Sequence, residues 1–288
     1  MLPAGMLATL VVGIVSHFAS PVVADGVTFP ATVELDLIFP RNGTTYAPGP
    51  RFPIVFAIQN APAAGSLDLE IAAVLHNSSR GLTHLEPVGA FEASNNSAAF
   101  VPGAPNIFYV HYVTEKLQGQ APTDWTISWT VVTTNCSGTG ADAGAANVST
   151  VSFSTKPGAQ AAGLVASAAA DGASNSSCLA SIDSSMTFGI TGVQNVTVED
   201  HKHGKKHNST RSPTTCAVLS NVQPPSSPCA ARLDPATASN IAAALNSSTK
   251  SSTAAPPKKN SGISMFGCQS SILESAALLA AVGWIVHL

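Results

Sequence analysis

The sequence predicts a mainly β fold, an antiparallel β-sandwich, because apolar and polar residues alternate along several short segments. Turn-forming residues separate these segments, and no long helical repeat lies between them. Ser, Thr, Ala, Gly and Pro dominate the composition, and charged residues make up only 10% of the chain. We therefore expect one β-rich domain followed by a less regular C-terminal tail.

Seven segments carry the strand pattern, and a further short strand is expected near Leu85–Phe91. Val33, Leu35 and Leu37 alternate with polar neighbours, whereas Pro53–Gln59 is apolar on both faces, which is typical of a central strand. With these strands and no long helices, the expected architecture is immunoglobulin-like. The seven segments are Val33–Phe39, Pro53–Gln59, Leu67–Leu75, Ile107–Val113, Trp125–Val131, Val151–Thr155 and Met186–Ile190.

Helix is expected in only two places. Ala159–Ala170 is rich in alanine, and Asp234–Leu245 begins with a capping Asp that is followed by Pro. Residues 246–260 consist largely of Ser, Thr, Pro and Lys and have little apolar surface to bury. They predict a disordered, O-glycosylated stalk.

Both ends of the chain carry sorting signals. Met1–Ala24 has an apolar centre and small residues at its end, which predicts a signal peptide cleaved after Ala24. Near the other end, small residues from Asn260 precede a polar spacer and an apolar tail. This order predicts that a glycosylphosphatidylinositol (GPI) anchor replaces the tail at Asn260, with Ser261 or Gly267 as alternatives. A retained membrane helix is the competing interpretation, but it needs ~20 apolar residues and is favoured by a following Lys or Arg, which the tail lacks.

Nine Asn-x-Ser/Thr sequons predict a heavily glycosylated extracellular surface, and each occupied site must face solvent. They are Asn42, Asn77, Asn95, Asn135, Asn147, Asn175, Asn195, Asn208 and Asn246.

The five cysteines become four if cleavage after Asn260 removes Cys268, and an even number suits an oxidising compartment. Four cysteines allow three connectivities. We expect Cys136–Cys178 and Cys216–Cys229, because the second pair encloses a short Pro-rich loop.

Two acidic pairs are the strongest catalytic candidates. Glu34 and Asp36, and likewise Asp68 and Glu70, are two residues apart on a predicted strand. That spacing is about 6.6 Å, which lies within the range used by paired glycosidase carboxylates. Outward acids on a half-exposed strand usually form a solvated face, and we favour that interpretation, with no catalytic residue.

Histidines suggest two metal hypotheses. His201, His203 and His207 could bind a transition metal, but the neighbouring lysines repel a cation, and we expect a flexible loop without metal or cofactor. Cleavage after Ser16 would make His17 the N-terminal residue of a copper monooxygenase-like enzyme. Val22-Val23-Ala24 is the better cleavage context, so we do not favour this. The second imidazole would come from His76, His84 or His111.

A carbohydrate-binding module stacks sugars on exposed aromatic side chains. After processing, Trp125 and Trp129 are the remaining tryptophans, and both lie on the inward side of their predicted strand. Tyr46 and Tyr112 form no visible platform. Core packing is therefore the expected role of the tryptophans.

Several segments resemble an uncharacterised family of secreted fungal proteins, domain of unknown function 7136. The similar segments are Thr28–Asn42, Phe52–Asn60, Trp125–Trp129, Asn135-Cys136, Cys216–Leu219 and Pro228–Ala231. The resemblance covers most of residues 28–245 and implies a fungal cell-surface or secreted protein. It supplies no activity and no catalytic residues, and the stretch near His201 looks like an insertion that the family does not share.

The expected organisation follows from these signals. It is a signal peptide (1–24), a β-sandwich ectodomain (25–200), a His/Lys-rich loop insertion (201–212), a disulfide-closed extension with a helix (213–245), a stalk (246–260) and a GPI-attachment propeptide (261–288).

The expected function is that of a non-enzymatic GPI-anchored extracellular glycoprotein of the fungal cell surface or wall. The net charge is −3 without a clustered basic surface, so we expect no nucleic-acid partner. The expected partners are the membrane, through the lipid anchor, and cell-wall glycans. A carbohydrate- or partner-binding surface module is the alternative, and a copper-dependent or hydrolytic secreted enzyme comes third.

Overall fold

The computed structural model describes residues 22–24, 26–79, 85–136, 142–143, 147–164, 185–196, 214–231 and 233–247. Strands dominate these residues, so the expected mainly β class is confirmed. The two α-helices of this part are α1 (Ala61–Ala64) and α2 (Pro235–Ser247). The strands are β1 (Val22–Ala24), β2 (Val27–Phe29), β3 (Ala31–Phe39), β4 (Thr45–Tyr46), β5 (Phe52–Gln59), β6 (Glu70–Asn77), β7 (Glu86–Glu92), β8 (Ile107–Thr114), β9 (Thr123–Val132), β10 (Thr134–Asn135), β11 (Asp142–Ala143), β12 (Asn147–Thr155), β13 (Ser185–Val196) and β14 (Thr214–Leu219).

Two five-stranded sheets form the sandwich. The first sheet has the order β14-β13-β3-β5-β8, and all of its pairs are antiparallel. The second sheet has the order β4-β12-β9-β6-β7 and is antiparallel except for the short β4–β12 pair, which is parallel. Two hairpins, β1–β2 and β10–β11, complete the pairings of the described strands.

The inner faces of the two sheets share one hydrophobic core. Phe52 on β5 stacks on Phe153 of β12 with 5.2 Å between the ring centroids, and Phe56 lies 5.2 Å from Trp129 of β9. All four side chains are buried. Aromatic pairs of this kind add about 0.5–1.5 kcal/mol each beyond the burial of their area.

A third layer covers the outer face of the first sheet. We name residues 220–231 and 233–247 the C-terminal strap. The strap crosses from β13, where the Thr187 hydroxyl donates a hydrogen bond of 2.7 Å to the carbonyl of Pro224, to β8, against which α2 packs. Arg51, just before β5, donates to the carbonyl of Leu245 at the far end of the strap.

The strap explains why β5 is apolar on both faces. Val55 and Ala57 on its outer face are as fully buried as Phe56 on its inner face. The central strand of this sheet is β3, and β5 is an interior strand between β3 and the edge strand β8. The outer face of β5 is buried because the strap covers it.

The helix expected at Asp234–Leu245 is confirmed as α2. Asp234 caps it, because its carboxylate accepts a hydrogen bond of 2.8 Å from the backbone N–H of Thr237. Neither α-helix of the described part is long and apolar enough to cross a membrane.

The expectation of a helix at Ala159–Ala170 is wrong over the residues that the structure describes. Gln160 forms a parallel bridge with Tyr46, and its carbonyl accepts a hydrogen bond of 2.6 Å from the N–H of Ala47. The chain then continues to Leu164 without helix. The tertiary contact with β4 outweighs the weak helix preference of alanine. Residues 165–170 lie outside the described residues.

The strand expected at Leu67–Leu75 begins later, at Glu70. Residues 61–67 form α1 and a 3-10 turn instead, with Pro62 in the first turn of the helix. A Pro at the first helical turn is favourable because its missing N–H has no helical partner there. Leu67 and Leu69 are still fully buried. Their apolar pattern therefore predicted burial correctly, although it predicted the wrong backbone conformation.

The described residues contain one disulfide, Cys136–Cys216, with 5.8 Å between the Cα atoms. The expected pairings Cys136–Cys178 and Cys216–Cys229 are therefore wrong, since each of them uses one of these two cysteines. The N–H of Cys136 donates a hydrogen bond of 2.8 Å to the carbonyl of Ala217, and this contact brings the two cysteines together although 80 positions separate them in the sequence. The short Pro-rich loop gave no information about this long-range contact. Cys178 lies outside the described residues.

Candidate functional site, a buried acidic pair under the C-terminal strap

Glu34 and Asp36 lie on the outer face of β3, at the centre of the first sheet. Strand alternation places them opposite the core residues Val33, Leu35 and Leu37, as the sequence predicts. Their side chains are nevertheless only 4% and 0% exposed, because the C-terminal strap passes over them. The interpretation of these acids as a solvated face is therefore wrong.

Asp36 is held by two side-chain donors from neighbouring strands. The Ser185 hydroxyl of β13 donates a hydrogen bond of 2.6 Å to Oδ1, and Nε2 of Gln59 on β5 donates one of 2.7 Å to Oδ2. Ser185 is the register partner of Asp36 across the β13–β3 pair. Such bonds to a carboxylate contribute more than bonds between neutral groups.

Glu34 is held by the strap itself. The backbone N–H of Ser227 donates to both Oε1 and Oε2, each at 2.8 Å. Nε2 of Gln59 also donates to the carbonyl of Ser227, at 3.2 Å. Glu34 and Gln59 are register partners in the sheet, so they bind both polar backbone groups of one strap residue.

Burial changes the proton affinity of both acids. Desolvation raises the pKa of Glu34 to about 7, and the nearby charge of Asp36 adds to this effect while the bond from Ser227 opposes it. Desolvation also raises the pKa of Asp36, against the stabilising bonds from Ser185 and Gln59.

The groups around the pair do not compensate its charge. The Tyr109 ring on β8 is half-buried, and burial together with the charges of Asp234 and Asp36 raises its pKa to about 12. Lys116–Glu86 is the ion pair found in the described part of the chain, and it lies elsewhere. No cation of the described residues neutralises the pair, so desolvation favours the protonated form and raises the pKa of both acids.

Through these hydrogen bonds the acidic pair and Gln59 attach the C-terminal strap to the first sheet. A glycosidase pair needs a sugar between its carboxylates and a route for water, whereas these carboxylates lie on one strand and are covered by the strap. Two cavities of about 300 and 160 Å³ border the strap, and neither is lined by Glu34 or Asp36.

Asp68 and Glu70 do not share a strand. Asp68 has a left-handed backbone conformation, with φ of 46°, at the end of the 3-10 turn, and only Glu70 belongs to β6. Glu70 is paired in register with Glu92 of β7. Burial raises the pKa of Glu70, and the charges of Glu92 and Asp68 add to the increase. The expectation that Asp68 and Glu70 lie two residues apart on one strand is therefore wrong.

The histidines of the copper hypothesis are not brought together where the structure describes them. His76 lies on β6 in the second sheet and His111 on β8 in the first, and burial lowers the pKa of both imidazoles. The described residues contain no group of three or more His, Cys, Asp or Glu side chains that could hold a metal. The remaining histidines of the two metal hypotheses lie outside the described residues: His17, His84, His201, His203 and His207.

The tryptophans have structural positions. Trp129 is fully buried against Phe56. Trp125 is half-buried, and its Nε1–H donates a hydrogen bond of 2.9 Å to the Thr155 hydroxyl of the neighbouring strand. Trp129 has no exposed face on which a sugar could stack, and Trp125 packs against the hydrophobic core.

Six of the sequon asparagines have described side chains. Asn42, Asn195 and Asn246 are exposed, and Asn77, Asn135 and Asn147 are half-buried. Oδ1 of Asn77 accepts hydrogen bonds from Ser79, and Oδ1 of Asn135 accepts one of 3.0 Å from the N–H of Leu219. A glycan attaches to the amide nitrogen, so these bonds are compatible with occupancy. Asn95 lies in the 3-10 turn Ala93–Ala99, and Asn175 and Asn208 lie outside the described residues.

Three functional residues of this site were missed by the sequence interpretation: Gln59, Ser185 and Ser227. Gln59 gave a signal, because it is the one polar residue that ends the apolar run beginning at Pro53. Ser185 and Ser227 gave none, since Ser is frequent throughout this chain.

The fold and the site define a class of protein: a disulfide-bonded β-sandwich whose first sheet is closed on its outer face by the chain's own C-terminal strap. The chain matches the model of the family described as "Domain of unknown function (DUF7136)" over residues 28–260, and it belongs to this family. The match includes both the sandwich and the strap. A search of curated proteins found none that matches this chain.

Proposed function

We propose that the chain is a non-enzymatic, GPI-anchored glycoprotein of the fungal cell surface or wall. The observation that carries the non-enzymatic part is the environment of Glu34 and Asp36, the carboxylates with glycosidase-like spacing. Both are buried, and the protein's own donors, Ser227 for Glu34 and Ser185 and Gln59 for Asp36, occupy the oxygens that would act on a substrate.

The Cys136–Cys216 disulfide supports the secretory route. Disulfides persist in oxidising compartments and are rare in the cytosol. The exposed sequons Asn42, Asn195 and Asn246 support glycosylation, because transferred glycans there would extend into solvent. The anchor rests on the tail that begins at Asn260.

Binding of wall glycans is the second candidate function. The strap does not cover the outer face of the second sheet, where Thr150 and Ser152 of β12 are exposed and Thr126 of β9 is half-exposed. These neighbouring hydroxyls can both donate and accept hydrogen bonds. Such an uncharged surface is compatible with a neutral polysaccharide.

The anchor is tested by treating membranes of cells that express the full chain with phosphatidylinositol-specific phospholipase C. We expect release of the protein into the supernatant and a mature C-terminus at Asn260 by mass spectrometry. A chain that lacks residues 272–288 should be secreted into the medium without treatment. Retention of the intact chain in the membrane after phospholipase treatment would contradict the anchor.

The non-enzymatic part is tested with a panel of fungal and plant polysaccharides by measuring the release of reducing sugar. We expect no release above the buffer level. Release that disappears in the Glu34→Gln variant would show that the acidic pair is catalytic.

A further inference from the structure

A cavity of about 300 Å³ lies where the end of β3, the segment 160–164 and the strap meet. Its apolar walls come from Ile38, Phe39, Leu164 and Leu233. The volume lies at the lower end of the range for small-molecule sites. We name it the Arg41 cavity after the charged residue that lines it.

One wall of this cavity is fixed by Tyr46. Its side chain is only 2% exposed, and its ring packs against Phe39 and Phe52, with 4.9 and 5.5 Å between centroids. Its hydroxyl accepts a hydrogen bond of 3.0 Å from the backbone N–H of Arg41. The turn that carries Arg41 is therefore tied to the aromatic core, and the Arg41 side chain extends from a fixed position at the cavity.

Arg41 differs from the other cationic side chains that the structure describes. Lys116 forms an ion pair of 3.0 Å with Glu86, and Arg51 donates to the carbonyl of Leu245. Arg41 and Lys156 are both exposed, but Lys156 does not line the cavity. Arg41 lines the cavity, and no described carboxylate forms an ion pair with it.

We propose that the Arg41 cavity binds a small organic carboxylate with an apolar body. The carboxylate lies on the Arg41 guanidinium, whose planar fork of donors matches the two carboxylate oxygens. The apolar body occupies the space between Ile38, Leu164 and Leu233, where its removal from water favours binding. This site is independent of the anchor and of the glycans proposed above.

The proposal is tested by isothermal titration of benzoate into the full chain expressed in a eukaryotic host and purified, with benzyl alcohol as the neutral probe of the same shape. We expect benzoate to bind at least about tenfold more tightly than benzyl alcohol, which corresponds to about 1.4 kcal/mol. Absence of benzoate binding up to its solubility limit, or equal binding of both probes, would overturn the proposal.

Two variants and one control locate the site. Arg41→Gln should weaken benzoate binding at least about tenfold, whereas Lys156→Gln removes the same charge nearby and should leave the affinity unchanged. Gly163→Phe should also abolish binding, since Gly163 lines the cavity and an added Cβ there meets no heavy atom within 4 Å. If Arg41→Gln fails to fold, the benzoate affinity of Gly163→Phe tests the proposal by itself. Unchanged benzoate affinity in either folded variant would show that the cavity is not the site.

Discussion

At the scale of single residues, Glu34 and Asp36 have the same chemistry but different attachments. Asp36 binds side chains of its own sheet, whereas Glu34 binds the backbone of the strap. Gln59 connects the two, because its Nε2 donates both to Asp36 and to the carbonyl of Ser227. The protonation state of Glu34 and Asp36 therefore affects how strongly the strap binds to the sheet.

Glu34→Gln should remove much of the pH dependence of stability. Burial raises the pKa of Glu34 from 4.5 to about 7, so the folded protein retains a proton that the unfolded chain releases between these pH values. The stabilisation is full below about pH 4.5 and is lost as the pH rises through about 7. At pH 8 the variant should be more stable than the native protein by about 1–3 kcal/mol. Urea unfolding at pH 4.5, 6 and 8 measures this, and identical pH profiles for the two proteins would contradict it.

Gln59→Leu should destabilise the protein at every pH by about 1–3 kcal/mol, because the buried carboxylate of Asp36 and the carbonyl of Ser227 would lose their donor. The loss should grow as the pH rises and Asp36 ionises. Gln118→Leu is the matched control, since its Nε2 donates to the carbonyl of Glu115 at an exposed position. Urea unfolding of the two variants makes the comparison. An equal loss for both variants would mean that the Gln59 bonds add no stability.

At the scale of elements, the strap can approach the first sheet closely because β13 has a glycine beneath it. An added Cβ at Gly189 would lie 2.9 Å from Cβ of Ser220 and 3.1 Å from Cγ of Pro224. The N–H of Ser220 also donates a hydrogen bond of 2.7 Å to the carbonyl of Gly189. The start of the strap is therefore in direct contact with the sheet backbone.

Gly189→Ala should displace the start of the strap and lower the free energy of unfolding by about 1–3 kcal/mol, which is typical of overpacking. Gly192→Ala on the same strand is the control, because an added Cβ there meets nothing within 4 Å. Limited proteolysis should cut the strap of Gly189→Ala faster than that of the control. Equal rates of cleavage would show that the strap does not depend on this close approach.

The strands were predictable and the strap was not, for a physical reason. Alternation along β3 and β9 reports which side chains face the core, and the structure agrees with it. Alternation cannot report whether the other face meets water or a later part of the chain. The burial of Glu34 and Asp36 depends on Ser227, which is 193 positions from Glu34 in a Pro-rich segment without regular structure.

At the scale of the whole molecule, the two sheets are joined differently at their two edges. At one edge, Lys116 after β8 pairs with Glu86 of β7, and the Tyr112 ring of β8 packs directly on Gly89. At the other edge, Cys136, which follows β9 and β10, is bonded to Cys216 of β14 in the first sheet. The disulfide thus bonds β14 of the first sheet to the segment that follows β9 of the second sheet.

Replacing both cysteines, Cys136→Ser with Cys216→Ser, should destabilise the protein strongly. The bond closes a loop with a sequence separation of 80, for which the chain-entropy model gives about 4.5 kcal/mol. For a domain of this size the loss corresponds to a Tm lower by on the order of 10 °C. The double variant leaves no unpaired thiol at this edge, and native protein treated with reductant should unfold at a similar temperature. A peptide map without reductant should show the Cys136–Cys216 linkage in the native protein. A double variant with unchanged Tm, or a map that joins Cys136 to Cys178, would mean that β14 is not linked to the second sheet in this way.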